Sequence, residues 1–286
     1  MGQSIASLKN LQALRLHSGR ASVENEAMEP LATIGNLKHL SVEIGSHNHP
    51  NVIRSILWNS RSTLRSLDIT SSRDLSNFLK AWDKTVSTDV DPAPHTPTLT
   101  ALKSLALCHV SFDAASFKSL QGALDFMNLR NLTLGRIPAG TDLFFQYLSR
   151  SAISAKEKGT SIGLRNLSLE MREDSYAQTP EGMSLKSKCQ FLATFDTLTN
   201  LELIDYGQYQ KTVATNPGLP TALLQAILKH KNLKSLKMTY NGIISGYTVP
   251  YLSATTVGVI VDNLPELQEF VFAPEEREIV RPPTLL

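Results

Sequence analysis

The chain has 286 residues, of which 42% are hydrophobic and 19% are charged, a composition too apolar for a disordered chain and too polar for a membrane protein. The 28 Lys and Arg residues nearly balance the 26 Asp and Glu residues, so the net charge is +2, far below that of proteins that grip a nucleic-acid backbone. Two cysteines are too few for a disulfide scaffold of this length.

One short apolar phrase, Leu-x-x-Leu-x-Leu, recurs along the chain. Its last two apolar residues are two positions apart, which puts both on one face of a strand, and its first residue enters the same core from the preceding turn. The seventh copy has two alternative registers, because a phrase that begins at Leu198 fits as well as one that begins at Leu201. The nine copies, in chain order, are Leu11-Leu14-Leu16, Leu37-Leu40-Val42, Leu64-Leu67-Ile69, Leu102-Leu105-Leu107, Leu129-Leu132-Leu134, Leu164-Leu167-Leu169, Leu201-Ile204-Tyr206 or Leu198-Leu201-Leu203, Leu233-Leu236-Met238 and Leu267-Phe270-Phe272.

The segments between these copies carry apolar residues at helical spacing. Leu219-Pro220 marks one helix start, because proline is favoured in a first helical turn. The chain is therefore predicted to alternate parallel strands with helices. The helical stripes are Val52-Ile53-Ile56-Leu57, Leu75-Phe78-Leu79-Trp82, Phe117-Leu120-Leu124-Met127, Leu185-Cys189-Leu192-Phe195, Leu223-Leu224-Ile227-Leu228 and Val257-Ile260-Val261-Leu264.

This pattern resembles the leucine-rich-repeat proteins of the long-repeat kind, and its irregular copies are similar to the C-terminal repeat region of fungal F-box/leucine-rich-repeat proteins. The resemblance implies an α/β solenoid, or horseshoe, of about nine repeats, with parallel strands on the concave face and helices on the convex face. It implies one domain over 1–286, with a flexible, proline-rich insertion near 86–98. The copies depart from the family pattern, because only Asn241 fills the position where the family carries Asn or Cys. The first repeat begins at about Leu8, so we expect that an N-terminal cap is missing and that the chain is the remaining part of a longer protein or the product of a shortened gene model.

The residues between and just after the core leucines should face the concave side, because side chains alternate along a strand. Concave solenoid surfaces are the usual contact surfaces of such folds, so we expect a protein partner there; the alternative is a solvated sheet face without a partner. Tyrosines near the seventh and eighth copies are candidate loop contacts, or residues of loops that only cover the core. The predicted concave residues are Arg15, His17, Glu43, Asp68, Thr70, Glu170, Asp205, Lys237 and Thr239, and the predicted loop contacts are Tyr206, Tyr209 and Tyr240.

The sequence carries none of the common enzyme motifs, so we expect no catalysis, no cofactor and no metal site. Cys108 and His109 are adjacent, and adjacent strand residues point to opposite faces, so a thiol and a base would not meet there. His47 and His49 would supply two ligands where a structural metal site needs four. We also expect no nucleic-acid or membrane partner, because no basic stripe with interleaved aromatic residues and no apolar span is present.

The predicted function is a non-catalytic protein–protein interaction scaffold. By resemblance, it is the substrate-recognition part of an F-box-type ubiquitin ligase subunit. The ligase core would be a partner only if an F-box lies upstream of Met1, because no Leu-Pro-x-x-Leu box precedes the repeats. Two alternatives stay open: a GTPase-activating leucine-rich-repeat regulator that uses an arginine such as Arg136 or Arg172, and a degenerate repeat protein without retained function. The absence of a secretory leader predicts an intracellular protein, cytoplasmic or nuclear.

Overall fold

The computed structural model shows an α/β chain that divides into two compact units, Met1–Phe144 and Phe145–Leu286. That 1–286 forms a single domain stays a prediction. The insertion near 86–98 and the helical stripe that begins at Leu75 lie outside the described residues. The structure describes residues 10–17, 29–44, 50–71, 99–110, 120–135, 141–171, 183–204, 219–239 and 252–272.

The first unit contains five described strands that pair side by side in chain order, each parallel to the next. Its described connections include helix α1 (Pro50–Asn59), two 3₁₀ helices and a helical segment at 120–123. The 3₁₀ helices are Glu29–Thr33 and Phe126–Asn128. The strands are β1 (Ala13–Leu16), β2 (His39–Ile44), β3 (Ser66–Ser71), β4 (Ser104–Cys108) and β5 (Asn131–Gly135).

The second unit contains four described strands, again paired in chain order and parallel. The parallel pairing and the alternation of strands with helices confirm the prediction for the described parts of both units. The strands are β6 (Asn166–Glu170), β7 (Asn200–Ile204), β8 (Ser235–Thr239) and β9 (Glu269–Val271), and the helices are α2 (Thr141–Glu157, which begins in the first unit), α3 (Met183–Ala193), α4 (Thr221–Ile227) and α5 (Ala254–Asn263).

The repeated phrase forms strands because it alternates apolar and small polar residues with a period of two. In β3, Leu67 and Ile69 are buried, whereas Asp68 between them is half-buried. Leu67 lies opposite Leu40 of β2 and Leu105 of β4. Equivalent residues of successive strands therefore stack in columns, and each repeat buries its apolar side against its neighbours.

The seventh phrase takes the register that begins at Leu198. Leu201 lies opposite Leu167 of β6 and Leu236 of β8. Leu198 and Leu201 are both buried, whereas Ile204 is only half-buried. The register that begins at Leu201 is therefore wrong, because pairing with the two flanking strands places Ile204 on the opposite face of the sheet.

Hydroxyl side chains hold the turns that lead into the core leucines. Thr63 Oγ1 donates to the Leu37 carbonyl at 2.9 Å, and Thr197 Oγ1 donates to the Leu164 carbonyl at 2.7 Å. Each threonine directly precedes the first leucine of a phrase and reaches the first leucine of the phrase before it. These bonds satisfy carbonyl groups that would otherwise be buried without a partner.

The stripe predicted to end at Met127 is wrong over its second half. The described helical residues stop at 123, Leu124 forms an isolated bridge with Leu99, and Phe126 rather than Met127 is buried. The cause is Asp125, whose carboxylate accepts the Met127 N–H at 3.0 Å and so begins the 3₁₀ helix Phe126–Asn128.

Helices α1, α3, α4 and α5 coincide with predicted stripes, and α4 begins directly after Pro220 as predicted. In α5 the buried face is narrower than predicted: Ile260 is buried, but Val261 is 54% exposed. Helix α2 was not predicted, although Phe144, Phe145 and Leu148 are buried on it at helical spacing. No helix in the described ranges combines the length and the apolar character that crossing a bilayer requires.

Candidate functional site

The side chains that alternate with the core leucines form one face of the strands, which we call the sheet face. Every described member of this face is exposed or half-buried, whereas its neighbours at the apolar strand positions are buried on strands β2 to β8. The face is mostly small and polar, as the sequence predicts. Three columns of residues cross the strands: the first column precedes the first strand leucine, the central column lies between the two apolar residues, and the third column follows the second.

In the first unit, the register of β1 to β5 aligns these columns across the strands. The first column was absent from the sequence prediction, although simple alternation could have found it. The first column is Ala13, His39, Ser66, Ser104 and Asn131; the central column is Arg15, Ser41, Asp68, Ala106 and Thr133; the third column is His17, Glu43, Thr70, Cys108 and Gly135.

In the second unit, the register of β6 to β9 sets the same columns. Glu202 takes the central position that was assigned to Asp205, and Asp205 itself lies outside the described residues. The first column is Asn166, Asn200, Ser235 and Glu269; the central column is Ser168, Glu202, Lys237 and Val271; the third column is Glu170, Ile204 and Thr239.

Neighbouring strands of the first unit share polar contacts across the sheet face. Ser41 Oγ donates to Asp68 Oδ2 at 3.2 Å, from β2 to β3. His17, just after β1, pairs with the Glu43 carboxylate of β2. Arg15 is exposed on β1. Three strands therefore bring four of the predicted residues (His17, Glu43, Asp68 and Arg15) to one stretch of the face.

Polar contacts in the second unit link the strands in a longer ladder. Ser168 Oγ donates to Glu202 Oε2 at 2.7 Å, and Glu202 lies opposite Lys237 in the strand register. Lys237 Nζ pairs with Glu269 Oε1 at 3.0 Å, and Ser235 Oγ donates to Glu269 Oε2 at 2.6 Å. Of the charged members of this ladder, only Lys237 was predicted.

The Glu269 carboxylate is held in its charged form by this arrangement. The Ser235 hydroxyl bond, followed by the bond and the charge of Lys237, lowers the pKa of Glu269 below its ordinary value. Both donors favour the ionised carboxylate because they bond to its charged form. The face of the second unit therefore carries a fixed negative charge at β9.

The other predicted face residues lie on the strands as expected from alternation. Thr70 lies opposite Glu43 of β2 and Cys108 of β4. Glu170 and Thr239 both lie opposite Ile204 in the strand register. The predicted loop contacts Tyr206, Tyr209 and Tyr240 lie outside the described residues, as do Arg136, Arg172 and the histidine pair at 47 and 49.

The two cysteines do not form a disulfide. Cys189 is buried in α3, and burial raises the pKa of its thiol to about 11, so it stays protonated at neutral pH. Cys108 is half-buried at the end of β4, and His109 follows it with φ = 57° and its N–H bonded to the Gly135 carbonyl. Among the described residues, no group of three or more His, Cys, Asp and Glu side chains is placed to share a metal ion.

Comparison with protein-family models finds no match for this chain, and comparison with curated proteins finds none either. The function is therefore inferred from the residues themselves and from the repeated phrase.

Proposed function

We propose that the chain is a non-catalytic protein-interaction scaffold of the leucine-rich-repeat type, which holds a protein partner on the sheet face. The observation that carries this proposal is the sheet face itself. None of its described residues is buried, whereas the apolar neighbours on β2 to β8 whose side chains are described are buried. A polar face presented by consecutive parallel strands offers a broad array of donors and acceptors to another protein.

The cross-strand bonds favour such a role because they hold the charged groups in place before a partner arrives. Asp68 is bonded to Ser41, Glu202 to Ser168 and Lys237 to Glu269. Side chains that are already ordered lose less conformational entropy on binding. The face is therefore suited to recognise complementary charges on a partner.

Charge reversal on this face tests the proposal. The double variant Asp68→Lys/Glu202→Lys should lose the proteins that the full chain captures from cells of its source, as identified by mass spectrometry. The new lysines would repel the positive groups of a partner whose surface is complementary to the native carboxylates, and this repulsion opposes association. A matched control, Glu157→Lys/Asp262→Lys, reverses two exposed carboxylates on α2 and α5 and should retain capture.

Circular dichroism and thermal unfolding establish that both variants fold. If the Asp68→Lys/Glu202→Lys variant is folded and still captures its partners at the wild-type level, the assignment of the binding surface is wrong. The milder variant Asp68→Asn/Glu202→Gln, which removes the charges without adding new ones, should show an intermediate loss.

The more specific proposal is that this scaffold is the substrate-recognition part of an F-box-type ubiquitin ligase subunit. It rests on the resemblance of the irregular repeats to fungal F-box/leucine-rich-repeat proteins. Mapping the 5′ end of the transcript and expressing the complete product tests it, because an F-box protein should co-purify with the adaptor of the ligase. A complete product that fails to bind the adaptor would refute ligase membership and leave the interaction scaffold untouched.

A further inference from the structure

A row of basic residues directly precedes strands β2 to β5 of the first unit. Lys38, Arg65, Lys103 and Arg130 each directly follow the first leucine of a phrase. The backbone N–H of each donates at 2.8 Å to the carbonyl of the corresponding residue one strand earlier, and Gln12 is the first acceptor. The four residues, here the basic row, are therefore stacked about 4.8 Å apart, over a length of about 14 Å.

The side chains of the basic row have no partner among the residues that the structure describes. All four side chains are exposed or half-buried, and none forms a hydrogen bond or ion pair within the part of the chain that the structure describes. Four cations at strand spacing create a positive potential along one edge of the sheet face. Binding of an anion would relieve their mutual repulsion.

The repeat itself does not require this charge. The second unit has the same backbone ladder, through Arg165, Thr199, Lys234 and Gln268, but only two of these four are basic. The guanidinium of Arg165 is already bonded to the Thr197 carbonyl at 2.8 Å. The uninterrupted row is therefore a property of the first unit and not of the fold.

The side chains next to the basic row are suited to an anionic ligand. His39, Ser66, Ser104 and Asn131 follow the four basic residues directly and form the first column of the sheet face. They are hydrogen-bonding groups, and no carboxylate stands among them. The nearest face carboxylate in the central column is Asp68, which already accepts a bond from Ser41.

We propose that the basic row binds an acidic, extended peptide segment of the protein held on the sheet face. This inference rests on the proposed function and specifies the chemistry of the partner. An extended chain advances about 3.3 Å per residue, so about four residues cover the row. The Coulomb attraction is strongest where several carboxylates lie along several cations.

A peptide is favoured over nucleic acid for three reasons. The first column beside the basic row offers no Phe, Tyr or Trp on which bases could stack. The carboxylates of Asp68 in the central column and of Glu43 in the third column would repel a broad duplex more than a single extended chain that follows the row. The net charge of the whole chain, +2, is also low for a polynucleotide binder.

Fluorescence anisotropy with the full chain and a labelled peptide of eight glutamates tests the proposal. Arg65→Glu/Arg130→Glu reverses two exposed members of the basic row and should weaken peptide binding by about tenfold or more. The control Lys234→Glu/Gln268→Glu changes two positions of the corresponding ladder in the second unit and should stay within about twofold of the wild type. Circular dichroism checks the fold, and Arg65→Gln/Arg130→Gln repeats the test without new negative charges.

Three results would overturn the proposal: unchanged peptide affinity in the folded row variants, an equal loss in the control, or tighter binding of a DNA duplex than of the peptide. The two proposals fail in different ways. If the Asp68→Lys/Glu202→Lys variant loses its partner but the row variants bind the peptide as the wild type does, the scaffold proposal stands and the proposed role of the basic row is refuted. If the row variants bind the peptide more weakly but the Asp68→Lys/Glu202→Lys variant captures its partner as the wild type does, the assignment of the partner to the sheet face is refuted.

Discussion

The two units repeat the same strand pattern, but the turns that precede their strands contain different buried polar side chains. Among the described residues of the first unit, the buried polar side chain is Ser60, whose Oγ accepts the Leu37 N–H at 3.1 Å. In the second unit it includes His230, whose Nε2 lies 3.1 Å from the Leu192 carbonyl. A serine hydroxyl does not titrate in the physiological range, whereas an imidazole does. The second unit therefore contains a buried group that titrates in acid, whereas the described turn at Ser60 in the first unit contains no such group.

The surfaces of the two units differ in a related way. Among the described residues, the four cations of the basic row in the first unit form no side-chain bonds, whereas in the second unit Lys237 is paired with Glu269 and Arg165 is bonded to a carbonyl. The backbone ladder is the same in both. Charge in this molecule is thus set by residue choice at positions that the core does not constrain.

The largest expected effect tests whether the two cores are equivalent. Leu67→Ala in β3 and Leu201→Ala in β7 remove side chains that are each 1% exposed, so each should lower the free energy of unfolding by about 2–5 kcal/mol. Urea unfolding measures the loss, and hydrogen exchange shows in which unit protection falls. A face substitution, Thr239→Ala, is the control, with an expected change below about 0.5 kcal/mol. If either leucine variant is as stable as the wild type, the two cores do not contribute equally to stability.

A somewhat smaller effect distinguishes the units by pH. Burial lowers the pKa of His230 from 6.5 to about 4, with the Leu192 carbonyl and Asp196 opposing this shift. Between these pH values the unfolded chain binds a proton at His230 that the folded chain does not bind. The contribution of His230 to stability is therefore constant above pH 6.5 and falls between about pH 6.5 and 4, by up to about 3 kcal/mol. Hydrogen exchange at pH 7.5 and 4.5 should show this loss around residues 219–239.

The variant His230→Gln is the control for that prediction. Glutamine keeps a donor for the Leu192 carbonyl but does not titrate, so the difference in stability between wild type and variant should shrink as the pH falls from 6.5 to 4.5. The carboxylates of the chain titrate equally in both proteins and cancel from the difference. A difference that does not change with pH would refute the role of His230.

The smallest effect concerns the exposed charges of the second unit. The hydrogen bond from the Ser235 hydroxyl is the largest single cause of the lowered pKa of Glu269, and the hydrogen bond and charge of Lys237 add to it, because each of them favours the charged carboxylate. The variants Ser235→Ala and Lys237→Ala should therefore each raise the pKa of Glu269. NMR titration of the Glu269 side-chain carboxyl measures both. An unchanged pKa in the Ser235→Ala variant would mean that the hydroxyl does not hold this carboxylate in its charged form.

Several features of the fold could be predicted because their signal lies in consecutive residues. The spacing of Leu64, Leu67 and Ile69 defines a strand and its buried side within six positions, and the same holds for the other unambiguous phrases. Helix α2 was missed because Ala152 and Ala155, which complete its buried face, carry a weak hydrophobic signal. The basic row was also visible, as a Lys or Arg after the first leucine of four phrases, but its members are separated along the chain and meet only in the sheet.

The leucine spacing by itself determined the parallel strands, their alternation with helices and the polar character of the sheet face. Only the tertiary structure decided between Leu198 and Leu201 as the start of the seventh phrase, and only it put Glu202 in the place assigned to Asp205. The reason is physical: alternation is a local property of the backbone, whereas register depends on the neighbouring strands. Ser168 bonds Glu202 across 34 residues of sequence. Such contacts between neighbouring strands determine which charged side chains are paired within the described part of the chain.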